Sequence, residues 1–114
     1  MGDIKILYDA QARFQTLISN GTIPRDDPEM LAHHLLGLVT EIGEVAQADK
    51  RWKKNKRNGH YDRDEKLEEI ADCFIFLLNI CIYSDISPDE LKMAVARKID
   101  KNRSRYLNSK EEVQ

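Results

Sequence analysis

Structure-breaking residues are scarce in this sequence, with 5 Gly and 3 Pro among 114 residues. So few breakers exclude a turn-rich β architecture and leave a small number of long helices. Cysteine is nearly absent. Cys73 and Cys81 stand eight residues apart in one apolar run, about 12 Å along a helix, which is beyond the reach of a disulfide. They read as reduced core thiols of a cytoplasmic protein, and no His or further Cys accompanies them at zinc-ligand spacing. Long apolar runs are also missing: the longest, Cys73–Tyr83, has eleven residues, against about 20 needed to cross a bilayer. The first residues lack a secretory apolar core, and Ile6 breaks the myristoylation pattern. Neither charge dominates, since the net charge is −2, so no global basic field argues for nucleic acid. What remains, 41% hydrophobic and 33% charged, is the composition of a globular chain, and residues 1–114 are expected to form one domain.

Apolar residues recur at helical period over residues 3–19, as Ile6, Leu7, Ala10, Phe14, Leu17 and Ile18, and Asn20-Gly21 is a stop signal. Residues 22–28 form a loop. Asp27 as N-cap and Pro28 at the first helical position start a second helix, expected to run to about Lys54. The polar segment Asn55–Asp64 is a linker. A third helix is expected from about Arg63 to Tyr83, with apolar residues around most of its circumference, which makes it the central one. Ser87-Pro88-Asp89-Glu90 reads as a capping box, with Ile86 and Leu91 as its hydrophobic staple. It opens a fourth helix expected to end near Tyr106, with the tail 109–114 frayed. The inward stripe of that helix contains Leu91, Val95, Lys98, Ile99, Asn102 and Tyr106, so that Lys98 and Asn102 are polar residues on an apolar face.

Two acidic motifs stand out, Glu41-Ile-Gly-Glu44 and Glu69-Ile-Ala-Asp72. Positions i and i+3 share a helix face, one turn apart. Packed side by side, the second and third helices gather four carboxylates into one volume. Like charges so close raise one another's pKa values or repel the helices, unless a cation lies among them. Oxygen-only donors suit Mg²⁺, with Mn²⁺ as a substitute. A ferritin-like di-iron centre is excluded, because no Glu is followed by His at i+3. Gly43, inside the first motif, is expected to admit a neighbouring helix or ligand. His34 lies on an apolar stripe and reads as a core histidine rather than a ligand.

The run Lys50–Arg57 places six basic residues around Trp52. It reads as a solvated helix end, as a nucleic-acid patch, or as cations such as Lys53 for phosphate oxygens beside an indole for a base. The rival to an enzyme is a non-enzymatic helical interaction protein binding nucleic acid through Lys50–Arg57, with the carboxylates as solvated charges.

Taken in order, Glu41, Glu44, Glu69 and Asp72 resemble the E-x-x-E…E-x-x-D signature of the all-α, MazG-like nucleoside triphosphate pyrophosphatases, a family that includes dCTP pyrophosphatase and the dimeric dUTPases. The segment Lys98–Tyr106 is similar to the K-x-x-x-N-R-x-R-Y ending of the dCTP pyrophosphatase branch. The resemblance implies a four-helix bundle-like MazG fold assembled as a homo-oligomer, a tetramer built from two dimers ahead of a simple dimer. It implies Mg²⁺ held by Glu41, Glu44, Glu69 and Asp72, and hydrolysis of (deoxy)nucleoside triphosphates, dNTPs foremost, to monophosphate and pyrophosphate, as nucleotide-pool house-cleaning. Glu41 or Glu44 would act as general base. Trp52, one residue further from Glu41 than in relatives, would stack on the base; Lys53, Lys98, Asn102 and Arg103 would contact phosphate or sugar, and Asn79 would face the nucleotide. Many members carry another Glu just before the first motif, where this chain has Thr40.

Overall fold

The computed structural model describes residues 2–113, which are all-helical apart from loops and turns. The helices are α1 (Gly2–Ile18), α2 (Pro28–Ala48), α3 (Arg63–Ile82) and α4 (Pro88–Val113), with a short 3₁₀ turn at Lys54–Lys56. The four expected helices are therefore present, and their starts follow local capping chemistry. The Asp27 carboxylate accepts from the backbone N–H groups of Glu29 and Met30. At α4, Ser87 and Glu90 exchange side-chain and backbone hydrogen bonds at 3.0 and 3.1 Å, the reciprocal capping box. Asp62 caps α3 by accepting from Asp64 and Glu65. After α1 the chain turns through Asn20 in the left-handed region, φ 58°, a conformation Asn tolerates at a helix end.

Two boundaries differ from expectation. The second helix stops at Ala48, not Lys54, so the basic run lies in a turn and the 3₁₀ segment rather than on a helix end. The cause is Asp49, whose side chain is bound by Arg51 and by Lys66 of α3 in place of continuing the helix. The fourth helix continues past Tyr106 to Val113, so residues 109–113 are helical, and Gln114 lies outside the described residues.

Helices α2 and α3 form an antiparallel hairpin, and α1 packs against α3. The buried core sits at one end of this arrangement, where Tyr8, Leu78, Cys81, Ile82 and Tyr83 meet Met30, Ile86 and Leu91. The Tyr83 hydroxyl donates to Gln15 (2.8 Å), and Asp27 N–H donates to the Tyr83 carbonyl (3.0 Å), tying the loops before α2 and after α3. Of the α4 stripe, Leu91 reaches this core, while Val95, Ile99 and Tyr106 are exposed, because α4 packs against α1 and then departs from the hairpin. The radius of gyration is 18.0 Å, against about 13 Å for a compact domain of this length.

The hairpin is tight at Gly37, where an added Cβ would run into the ring of Phe76, itself packed on His34. Gly43, next to the first acidic pair, faces open space within the protomer. Gly37, not Gly43, is thus the glycine that admits the neighbouring helix. Gly37→Ala is expected to destabilise the fold by about 1–3 kcal/mol through overpacking. Gly43→Ala is expected to gain up to about 1 kcal/mol from helix propensity. Urea unfolding of the two variants against the parent measures both.

Candidate metal centre

The antiparallel register of α2 and α3 brings Glu41 opposite Glu69 and Asp72, with one carboxylate oxygen from each lying within 4.8 Å of the others. Glu69 and Asp72 share a face by their i+3 spacing, and the close approach at Gly37, one turn before Glu41, draws the helices together. Burial, then the charges of Glu41, Asp72 and Glu44, push the Glu69 carboxyl above its ordinary value. Among the described residues the ion pairs are Lys5–Asp9, Arg51–Asp49 and Lys66–Asp49, and none neutralises this cluster.

Such a donor set fits a hard divalent cation. One oxygen from each of the three carboxylates lies within 4.8 Å of the others, near enough for side-chain movement to bring them onto one small cation. Glu41, Glu69 and Asp72 are the residues able to hold it. Glu44 lies outside this triad, exposed one turn further along α2, although its charge is felt at Glu69. At Thr40 the hydroxyl bonds back to the Leu36 carbonyl (3.1 Å) and supplies no carboxylate.

Other sequence candidates are dispersed. Asn79 is 3% exposed in the core, where its Oδ1 accepts from Gln11 (2.9 Å) and its Nδ2 approaches His34 Nδ1 (3.4 Å). Its amide is engaged by these protein partners. His34 is a core residue as expected, stacked on Tyr83, with burial lowering its pKa; its Nε2 has no partner. Lys98, Asn102 and Arg103 are exposed along α4, and one protomer does not bring them to the carboxylates, because α4 leaves the hairpin. Trp52 and Lys53 follow the end of α2. The Trp52 Nε1–H donates to the Ala46 carbonyl (3.0 Å), and the Lys53 ammonium lies 5.3 Å from the ring centroid.

A cavity of about 250 Å³ opens between Val45, Ala46, Asp49, Trp52 and Lys66. Val45 is four residues beyond Glu41 and Lys66 three before Glu69, so the cavity adjoins the acidic cluster along the same seam, about one helical turn away. Asp49 and Lys66 carried no motif in the sequence. Their only signal was an acid preceding a basic run and a lysine one turn before an acidic pair.

The family model described as dUTPase matches residues 3–113. No curated protein and no solved structure matches the chain.

Proposed function

The chain belongs to the dUTPase family, an all-α family related to nucleoside triphosphate pyrophosphatases, and from that membership we propose that it hydrolyses dUTP to dUMP and pyrophosphate. The observation that carries the reading is the convergence of Glu41, Glu69 and Asp72 from two helices without a basic partner. A bound divalent cation, Mg²⁺ or Mn²⁺, supplies charge neutralisation and a more acidic water at such a site. Glu41 or Glu44 takes a proton as water adds to the α-phosphorus; the bond from that phosphorus to the bridging oxygen breaks, and pyrophosphate leaves. Trp52, 62% exposed, offers a ring face to the base, and Lys53 beside it offers a cation to phosphate.

Assembly as a homo-oligomer is part of this proposal. The protomer exposes 8955 Å², whereas a folded monomer of its mass exposes about 6,400 Å². Much of the excess is apolar, including Leu17, Leu36, Val39 and Ile99. An excess near 2,500 Å² is in the range of obligate interfaces. In such an assembly, Lys98, Asn102 and Arg103 reach a triphosphate from the α4 of a second copy. The order of the acidic motifs and the Lys98–Tyr106 segment supports placing the chain among MazG-like enzymes, with nucleotide-pool house-cleaning in the cytoplasm as its role.

The test is pyrophosphate release from the eight common dNTPs and NTPs and from dUTP, with Mg²⁺ or Mn²⁺. We expect dUTP to be turned over fastest. Faster turnover of dCTP would reassign the base, in keeping with the α4 segment. No release from any nucleotide would overturn the enzyme reading and leave an interaction protein using Lys50–Arg57.

A further inference from the structure

We propose that Asp49 is a positioning residue: it pins the loop that carries Trp52 to α3 and so holds the indole at the mouth of the cavity beside the acidic cluster. This rests on the nucleotide-binding reading above.

Asp49 ends α2 in an extended conformation, φ −138° and ψ 103°. Its Oδ1 accepts from Arg51 N–H (3.1 Å) and Arg51 Nε (2.9 Å), and its Oδ2 from Arg51 Nη2 (2.8 Å) and Lys66 Nζ (2.8 Å). An ionised carboxylate has about four acceptor sites, and all are filled from within the chain. Asp49 therefore has no capacity left for a metal or a substrate, unlike Glu41, Glu69 and Asp72. Arg51 and then Lys66 hold its carboxyl well below the usual carboxylate range.

Tyr61 closes the clamp from the far end of the loop, with its ring 4.0 Å from the Arg51 guanidinium carbon and 5.0 Å from the Lys66 ammonium. Residues 49, 51 and 61 thus fasten both ends of the inter-helix segment to a lysine one turn from Glu69. Between those fastenings, Trp52 is anchored by its N–H on Ala46, with the Lys53 ammonium 5.3 Å from its ring centroid, and the residue stays 62% exposed. Two cations against one carboxylate also leave one net positive charge beside the cavity, suited to an anionic ligand. Ion pairs that merely decorate a surface leave both partners exposed; Asp49 is 9% exposed and lines the cavity itself.

Trp52 is the one tryptophan of the chain, so its fluorescence reports the loop directly. Asp49→Asn is expected to shift the emission to longer wavelength and raise the KM for dUTP about tenfold, with kcat changed less than about twofold. Tyr61→Ala, which leaves the carboxylate in place, is expected to do the same to a smaller extent. In a Trp52→Ala background, Asp49→Asn should raise KM no further, since a residue acting through Trp52 has nothing left to position. Multiplying effects in the double variant, or an unchanged emission in both single variants, would overturn the proposal. If the parent turns over no nucleotide, the enzyme reading fails separately. Quenching of Trp52 by dUTP with Ca²⁺ then decides: quenching lost in Asp49→Asn supports the pin, and no quenching in the parent overturns it.

Discussion

Asp72→Asn is expected to lower Mg²⁺-dependent pyrophosphate release by about 10³-fold while leaving helicity and oligomer mass unchanged. Asn keeps the volume and one oxygen but loses the charge that a hard cation requires. Asp72 is exposed on α3 and makes no ion pair among those of the described residues, so the fold has little to lose. Circular dichroism separates loss of chemistry from loss of structure, and Mg²⁺-dependent protection against thermal unfolding should vanish with the activity. Full activity in this variant would show that the cluster is not the metal site. Glu69→Gln adds a second signature in metal-free protein. The folded state raises the Glu69 pKa above its ordinary 4.5, so it binds that proton more tightly than the unfolded chain does. Stability is then greatest below pH 4.5 from this group and falls as pH rises through the raised value. Glu69→Gln should remove that loss, making the metal-free protein more stable than the parent at neutral pH while weakening its response to Mg²⁺. Thermal scans in chelator across the acid-to-neutral range measure it.

The second large effect is expected on assembly. Leu36 and Val39 are 71% and 67% exposed, one turn apart on α2. Burying two such side chains contributes about 4 kcal/mol, so replacing both by Glu should weaken association about 10³-fold. Sedimentation should show monomer at concentrations where the parent is oligomeric, and activity should fall with the mass if α4 of another copy completes the site. An Ile99→Glu, Leu107→Glu variant probes the α4 face in the same way. A parent that sediments as a monomer would overturn the assembly, and retention of the parent mass by both variants would overturn the assignment of its interface to these faces.

The helices were legible because their signals are local. Apolar residues at helical spacing, Asp27 before Pro28, and the reciprocal Ser87–Glu90 pair act within a few residues, and each is found where the sequence indicates it. The acidic site was partly legible for the same reason: i+3 spacing alone puts Glu69 and Asp72 on one face. Its membership was not, because Glu41 and Glu44 share a face of α2, and which of them lies level with Glu69 and Asp72 depends on how α2 is placed along α3, a tertiary property. Asn79 shares a face with Asp72 by spacing, yet Gln11 from α1 and His34 from α2 occupy its amide.

Sequence alone determined an all-α chain of four helices, with paired carboxylates on the two that pack most closely. Those properties follow from periodicity, capping and composition, which need no distant partner. Tertiary structure decided where α2 stops, since Asp49 takes Lys66, 17 residues away, as its partner. It also decided that the α4 stripe faces outward in one protomer, because no pattern within a helix says which surface, or which copy, will cover it. The cavity beside the acidic cluster belongs to the same class: its walls come from the end of α2, the loop and the start of α3, and it exists only once they are packed together.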